Sequence, residues 1–290
     1  MKKSFSLAVV LQMSLAAVVG AQTTTVYGSG TQFVNAGGSN ASDPSCNANV
    51  EWCARNVRVG GGAGVTTAFA RNGNGSIQFS LPDSDAPFNP KADFEYLVTG
   101  PGTTFTPFLL SSLESFGFDW YRSSTSTNPA GQHPVMRLFI DYDGVVGGNT
   151  GYLIYEGAYN GVSSAPTDVW TGVDVTGSTT LWATNAGVGL CQEIAQMNTF
   201  ADWKSGSKSC LGSTVSSTAV VYGLSVGVGS GWDGVFDGAV DNVRFKTSGM
   251  NEATVFNFEV RGATVPEPTS AALLVAGFAG LVAVRRRRSA

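Results

Sequence analysis

Between Ser76 and Val260 the chain repeatedly alternates apolar and polar positions with a period of two. In "SIQFSL" Ile77, Phe79 and Leu81 share one face and Gln78 and Ser80 the other. "SFGFDW" sends Phe116, Phe118 and Trp120 one way, and "VMRLFIDY" does the same with Met136, Leu138, Ile140 and Tyr142. "GYLIYEG" reads as a partner strand. "VVYGLSVGVG" aligns Val220, Tyr222, Leu224, Val226 and Val228. "GAVDNVRF" aligns Val240 with Asn242 and Arg244, and Ala239 with Asp241, Val243 and Phe245; "VFNFEV" aligns Phe256, Phe258 and Val260. Such runs, separated by Gly, Asn, Ser and Pro, predict half-buried antiparallel strands. One segment departs from this period. "LCQEIAQMNTFADWKSG" spaces Ile194, Met197 and Ala201 as a helix would, with Gly206 as a stop. Ser29 to Gly64 is rich in Gly and Asn and predicts mostly irregular chain.

Many strands without βαβ alternation predict an all-β fold, an antiparallel β-sandwich. The length of the stretch favours a jelly-roll or concanavalin-A-like arrangement over a small immunoglobulin-type domain.

The two ends differ from this body. Lys2 and Lys3 precede a mostly apolar run from Phe5 to Val19, and Val19-Gly20-Ala21 offers small residues to a signal peptidase. This predicts an N-terminal signal helix at residues 1–21, cut after Ala21, rather than a retained anchor. Near the other end, Ala271 to Val284 is wholly apolar or glycine. With Thr269 and Ser270 it would make a helix of roughly 24 Å, short for a bilayer core of about 30 Å. Flanking Arg285, Arg286, Arg287 and Arg288 can snorkel and mark the cytoplasmic side. A C-terminal transmembrane helix is therefore expected within residues 263–290, leaving a β-sandwich body over 22–262. The body holds 11 of the 17 basic and 20 of the 21 acidic residues, a formal charge of −9, which disfavours nucleic acid as a partner.

Val265-Pro266-Glu267-Pro268, the apolar glycine-containing helix and the arginine cluster, in that order, resemble the PEP-CTERM sorting signal of bacterial exported proteins. The resemblance implies recognition by an exosortase, a membrane-embedded cysteine transpeptidase-like enzyme. It would cut near Pro266, Glu267 and Pro268 after a transient stay in the inner membrane. It would then pass the body to the cell surface or extracellular matrix. A plain anchor that is never cut is the competing reading. Blocks such as "FDWYRSSTSTNP", "HPVMRLFIDYDG" and "GSGWDGVFDGAVDNVRF", within residues 113–245, also look like those of exported PEP-CTERM passengers with a sandwich fold, a resemblance that implies location and fold but no activity.

Four cysteines suit an oxidising compartment. They allow three pairings, of which the local Cys46–Cys53 and Cys191–Cys210 are favoured because each staples one loop. Neither pair has zinc-ligand spacing, and the sole histidine, His133, is distant from both. His133 lies in "GQHPV" and no GxSxG elbow exists, so a serine triad is not expected. Two carboxylate pairs, Asp93 with Glu95 and Asp141 with Asp143, are the candidates for a polysaccharide hydrolase or lyase, without the E-x-D-x-E run that sandwich glycosidases use.

No cofactor is expected, except that "DGVFDGAVDN" offers oxygen donors Asp233, Asp237, Asp241 and Asn242 to a structural Ca²⁺, in spacing that equally suits Asp-Gly turns. The aromatics Trp120, Tyr121, Tyr155, Tyr159, Trp170, Trp182 and Trp232 suggest sugar stacking. Tyr159-Asn160-Gly161 and Trp232-Asp233-Gly234, in loops, are the best placed. The function expected from sequence is thus a non-enzymatic, exosortase-processed surface or matrix protein binding exopolysaccharide in a biofilm; a secreted polysaccharide hydrolase is the alternative.

Overall fold

The computed structural model describes residues 21–37, 40–47, 50–83, 89–98, 104–145, 148–185, 189–191, 197–206, 208–210 and 213–262. The signal segment before Ala21, the sorting segment after Gly262, and the side chains of Cys191 and Cys210 lie outside this set. In chain order the strands are β1 (Gln22–Gly28), β2 (Phe33–Val34), β3 (Cys53–Arg55), β4 (Gly62–Thr66), β5 (Ser76–Leu81), β6 (Lys91–Leu97) and β7 (Phe108–Leu109). Next come β8 (Leu113–Arg122), β9 (Val135–Asp141), β10 (Thr150–Tyr155), β11 (Thr171–Val175), β12 (Thr180–Asn185) and β13 (Gly189–Cys191). The last are β14 (Asn198–Thr199), helix α1 (Phe200–Lys204), β15 (Ser209–Cys210), β16 (Ser213–Thr214), β17 (Val220–Gly229), β18 (Phe236–Thr247) and β19 (Thr254–Val260).

Two large sheets pack face to face. The first runs β1-β19-β18-β5-β4-β2, with β8 and then β11 joined to the other side of β18; the second runs β13-β12-β10-β9-β17-β6-β3, with β14 and β7 added. β1 pairs in parallel with β19, and the remaining pairs are antiparallel. The apolar faces read from sequence meet in one core. Ile77, Phe79, Phe116, Phe118, Trp120, Met136, Leu138, Ile140 and Phe258 are all shielded from solvent. Burial of each such side chain contributes about 2 kcal/mol.

Among the described residues, simple alternation fails in β17 and in β18, each at a bulge. In β17 the register shifts between Val221 and Gly223, so Val221 rather than Val220 or Tyr222 joins Leu224, Val226 and Val228 in the core. In β18 the register against β8 jumps between Asp241 and Arg244, with Asn242 in the left-handed region at φ 48°. Val240 therefore points inward before the jump, and Val243 and Phe245 after it. The jump is where β18 exchanges neighbours: β5 pairs as far as Val240 and β19 begins at Val243. Asp241 bridges the gap, its Oδ1 accepting from the backbone N–H groups of Asn242 (2.7 Å) and Phe258 (3.0 Å).

The helical reading around Met197 needs correction. Asn198 and Thr199 form a strand pairing with Leu181 and Thr180, and among the described residues of this segment the helix spans Phe200–Lys204; Ile194 lies outside them. Thr199 and Asp202 make a reciprocal capping box that starts it, and Phe200 and Trp203, not Ala201, are its buried residues. Ser29 to Gly64 is mostly irregular, as expected: its strands are β2, β3 and the start of β4.

Cys46 and Cys53 form the expected disulfide, with Cα atoms 5.7 Å apart. The bond ties the entry loop to β3 beside Trp52, which packs edge-on against Phe256 and Phe258 at 5.3 Å each. Opening a loop this short costs about 2 kcal/mol of stability through the unfolded chain. Joint Cys46→Ala and Cys53→Ala replacement is expected to reduce the unfolding free energy by that amount in urea titration.

Candidate functional site

The outer face of the nine-stranded sheet carries the most developed site. Cross-strand register places Glu95 of β6, Ser225 of β17, Arg137 of β9, Ile154 of β10 and Trp182 of β12 on one rung. The next rung holds Phe139, Tyr152 and Thr184. Over these rungs lies a cleft of about 530 Å³, lined by Arg58, Lys91, Gln132, Val135, Arg137, Tyr152, Ile154, Glu156, Tyr159, Trp182, Thr184 and the Gly229–Trp232 loop. This volume is in the range of small-ligand sites.

One wall is a 3₁₀ turn, Gly157–Asn160, closed by Gly161 at φ 86°. Asn160 pins it in place: its Nδ2 donates to the carbonyls of Glu156 (2.9 Å) and Thr180 (3.0 Å), and its Oδ1 accepts from the Thr180 N–H (2.9 Å). Tyr159 is thereby held at the rim with 39% of its surface exposed. Beneath the turn sits His133, so near that a Cβ on Gly157 would lie 1.9 Å from its Nε2. Trp182 of β12 also lines the cleft. Burial pushes the Glu156 carboxyl up, and the Trp182 indole is near enough to oppose that shift without forming a well-aligned hydrogen bond.

The floor is a buried ion cluster. Asp93 is shared by Lys91 Nζ at 2.6 Å and Arg137 Nη1 at 2.8 Å, and Asn56 Nδ2 donates to it at 3.0 Å. Arg137 reaches Asp93 by passing over β17 at Gly227, where a Cβ would stand 2.3 Å from Asp93 Oδ1 and 2.8 Å from Arg137 Nη1. Glu95 lies beside them, 3.8 Å from Arg55 and 3.4 Å from the Ser225 hydroxyl that donates to it. Burial, and then the charge of Asp93, push its carboxyl up to about 7. Burial likewise lowers Lys91, although Asp93 opposes this.

A raised carboxyl beside an ionised one is the pattern of a glycosidase pair. Here neither Asp93 nor Glu95 lines the cleft, and both are almost wholly buried. Among the described residues Glu156 is the one carboxylate lining it. Asp141 and Asp143 are a turn: Asp141 accepts from the N–H groups of Gly148 (2.9 Å) and Asp143 (3.3 Å), and Asp143 from that of Val145 (2.9 Å).

His133 is 1% exposed and stacks on Trp120 at 4.1 Å. Its Nδ1–H donates to the Pro134 carbonyl at 2.8 Å, and burial pushes it down to about 4, so it is neutral at pH 7. Its ring packs between Trp120 and Tyr155.

The calcium candidates are not gathered at one point. Asp237 accepts from Gln78 Nε2 at 3.2 Å, Asp241 is buried at the sheet branch, and Asp233 is exposed in the preceding loop. Asp237 and Asp241, four residues apart on one strand, are separated by about 13 Å. Among the described residues the one close His/Cys/Asp/Glu group is Cys46, Glu51 and Cys53, whose sulfurs are bonded to each other.

Of the two favoured sugar-binding aromatics, both reach the cleft, but only Tyr159 offers a ring face. Trp232 is 4% exposed and packs edge-on against Phe236 at 5.5 Å. Trp120 and Tyr155 belong to the core, whereas Tyr121 and Trp170 lie on the other sheet with Arg71 over the Trp170 ring. Sequence reasoning missed Arg58, Lys91, Gln132, Arg137, Tyr152 and Glu156 as lining groups. Outward-pointing Arg137 and Tyr152 on β9 and β10 were the available signal.

Among the described residues no helix is long and apolar enough to cross a membrane. The segment where one is expected, Ala271 to Val284, lies outside them. A comparison with curated protein sequences finds no match. A crystal structure of a carbohydrate-binding module specific for non-crystalline cellulose aligns over 63% of this chain and 79% of its own, with 10% identity and a TM-score of 0.30, a likeness too slight to carry an argument. Residues 264–288 match the PEP-CTERM protein-sorting motif, so this chain carries an exosortase sorting signal and is marked by it for export to the cell surface.

Proposed function

We propose that the body of this protein is a non-catalytic glycan-binding module of the cell surface or extracellular matrix, holding exopolysaccharide in the cleft on the nine-stranded sheet. The observation that carries this reading is the cleft itself: the rings of Tyr159 and Trp182 line it together with polar groups from Gln132, Glu156 and Arg58, with a single carboxylate among the described lining residues. Rings supply faces for pyranose stacking and the polar groups meet hydroxyls. One carboxylate cannot supply the acid and base that glycoside cleavage requires.

In the export route we propose, a signal peptidase cuts after Ala21, leaving Gln22 as the first residue of β1. The body stays in the inner membrane until an exosortase cuts near Pro266, Glu267 and Pro268, while Arg285 to Arg288 remain on the cytoplasmic side. The parallel pairing of β1 with β19 supports these limits, because it locks Gln22–Gly28 and Thr254–Val260 into a single sheet edge. The released body is a sandwich of jelly-roll type whose nine-stranded face meets the biofilm matrix.

Affinity electrophoresis in gels containing the producing cell's exopolysaccharide tests the reading. The parent protein is expected to be retarded without releasing reducing ends. Tyr159→Ala and Trp182→Ala should each weaken retardation about tenfold. Retardation unchanged in both variants would overturn the assignment of the cleft, and new reducing ends would restore the hydrolase reading.

A further inference from the structure

We propose that the cleft selects an acidic glycan, one bearing carboxylates such as those of uronic-acid residues, and that Arg58 receives the sugar carboxylate. The proposal rests on the glycan-binding reading above and adds the chemical class of ligand.

Charge in and under the cleft is of opposite sign to the rest of the body. Four cations, Arg55, Arg58, Lys91 and Arg137, face or underlie it. Their neighbouring carboxylates are Asp93, Glu95 and Glu156. Asp93 is shared by two cations, and one carboxylate balances one unit of charge, so the Lys91–Arg137 pair leaves a positive excess on the floor. Burial pushes Glu95 up to about 7, which reduces the negative charge it returns near neutral pH; burial also pushes Glu156 up and Lys91 down.

Arg58 is the cation left over. Its Nη1 makes a long 3.4 Å contact with the Asn89 carbonyl, and among the described residues no carboxylate pairs with it. A guanidinium lining a cleft that also presents aromatic rings matches a planar carboxylate through a two-point hydrogen bond. The formal charge of −9 on the body does not oppose this at physiological salt, where fields between exposed charges decay over about 8 Å.

The test uses the full chain as exported and three probes: polygalacturonate, the same polymer with its carboxyls methyl-esterified, and neutral hydroxyethyl cellulose. Polygalacturonate is expected to bind about tenfold more tightly than its ester, with the advantage shrinking as salt rises. Arg58→Gln should remove that advantage, Arg58→Lys should keep part of it, and Trp182→Ala should weaken all binding. Equal binding of the acid and the ester, or an advantage that survives Arg58→Gln, overturns the acidic-ligand proposal while leaving glycan binding in place. Absence of binding to all three probes overturns both.

Discussion

Asp93→Ala is expected to lower the unfolding free energy by about 3 kcal/mol, measured by urea denaturation at pH 7. Asp93 is 1% exposed, and the cations it serves, Lys91 and Arg137, are 13% and 6% exposed. Removing the carboxylate leaves two positive groups close together in a poorly solvated place. Breaking one side of a buried ion pair in this way typically costs about 3–5 kcal/mol. The lower end applies because Glu95 is adjacent. Once the charge of Asp93 no longer pushes its carboxyl up, Glu95 ionises more readily and takes over part of the neutralisation. Exchanging Arg137 for Met in the same variant should recover part of the loss, since it removes one of the stranded charges. A single variant within about 1 kcal/mol of the parent would show that the cluster is far better solvated than its geometry implies.

A comparable effect, read against pH, is expected at Asp241. This carboxylate is fully buried; Oδ1 accepts two backbone N–H groups, but Oδ2 has no partner among the described residues. Burial pushes it up to about 7, with Glu259 and Asp119 adding to the shift and the two N–H groups opposing it. A folded-state value above the unfolded one near 4 means that ionisation favours the unfolded chain. Below about pH 4 both states are protonated and the group costs nothing. Between about pH 4 and 7 the unfolded chain ionises first, and stability falls by about 1.4 kcal/mol per pH unit. Above 7 both states are ionised and a deficit of about 4 kcal/mol persists.

Asp241→Asn retains an acceptor for Phe258 and Asn242 and does not titrate. Its stability relative to the parent should therefore rise by about 4 kcal/mol between about pH 4 and pH 8. Glu95 titrates in the same window but is common to both proteins and cancels in the difference. Parallel stability curves for the two proteins across that range would refute the shift.

Much of this architecture was readable along the chain. A period of two is a local property: it assigns Ile77, Phe79, Phe116, Phe118, Met136, Leu138 and Phe258 to a buried face whichever strand lies alongside. The sorting motif at 264–288 was readable for the same reason, since its parts are contiguous. So was the Cys46–Cys53 bridge, which spans seven positions. Reading failed where a distant strand outweighed local preference. Met197 and Ala201 have helical spacing, yet Asn198 and Thr199 between them pair with β12, and the cap that Thr199 makes starts the helix Phe200–Lys204 only after them. The bulges at Tyr222 and Asn242 reverse the faces of β17 and β18, and each exists to satisfy neighbouring strands.

The sequence by itself thus determined the all-β class, most core faces and the exported fate. Tertiary structure alone decided the site. Alternation says which side chains share a face of a strand, but not which strands become neighbours. Asp93 and Arg137 meet across 44 positions, and the cleft joins Arg58 to Trp232 over most of the body. Tyr159 kept its place at a rim because a local turn holds it there, whereas Trp232 lost its ring face to Phe236. What buries one loop tryptophan and leaves another ring open is the packing of remote strands against it, a contact that no stretch of chain encodes alone.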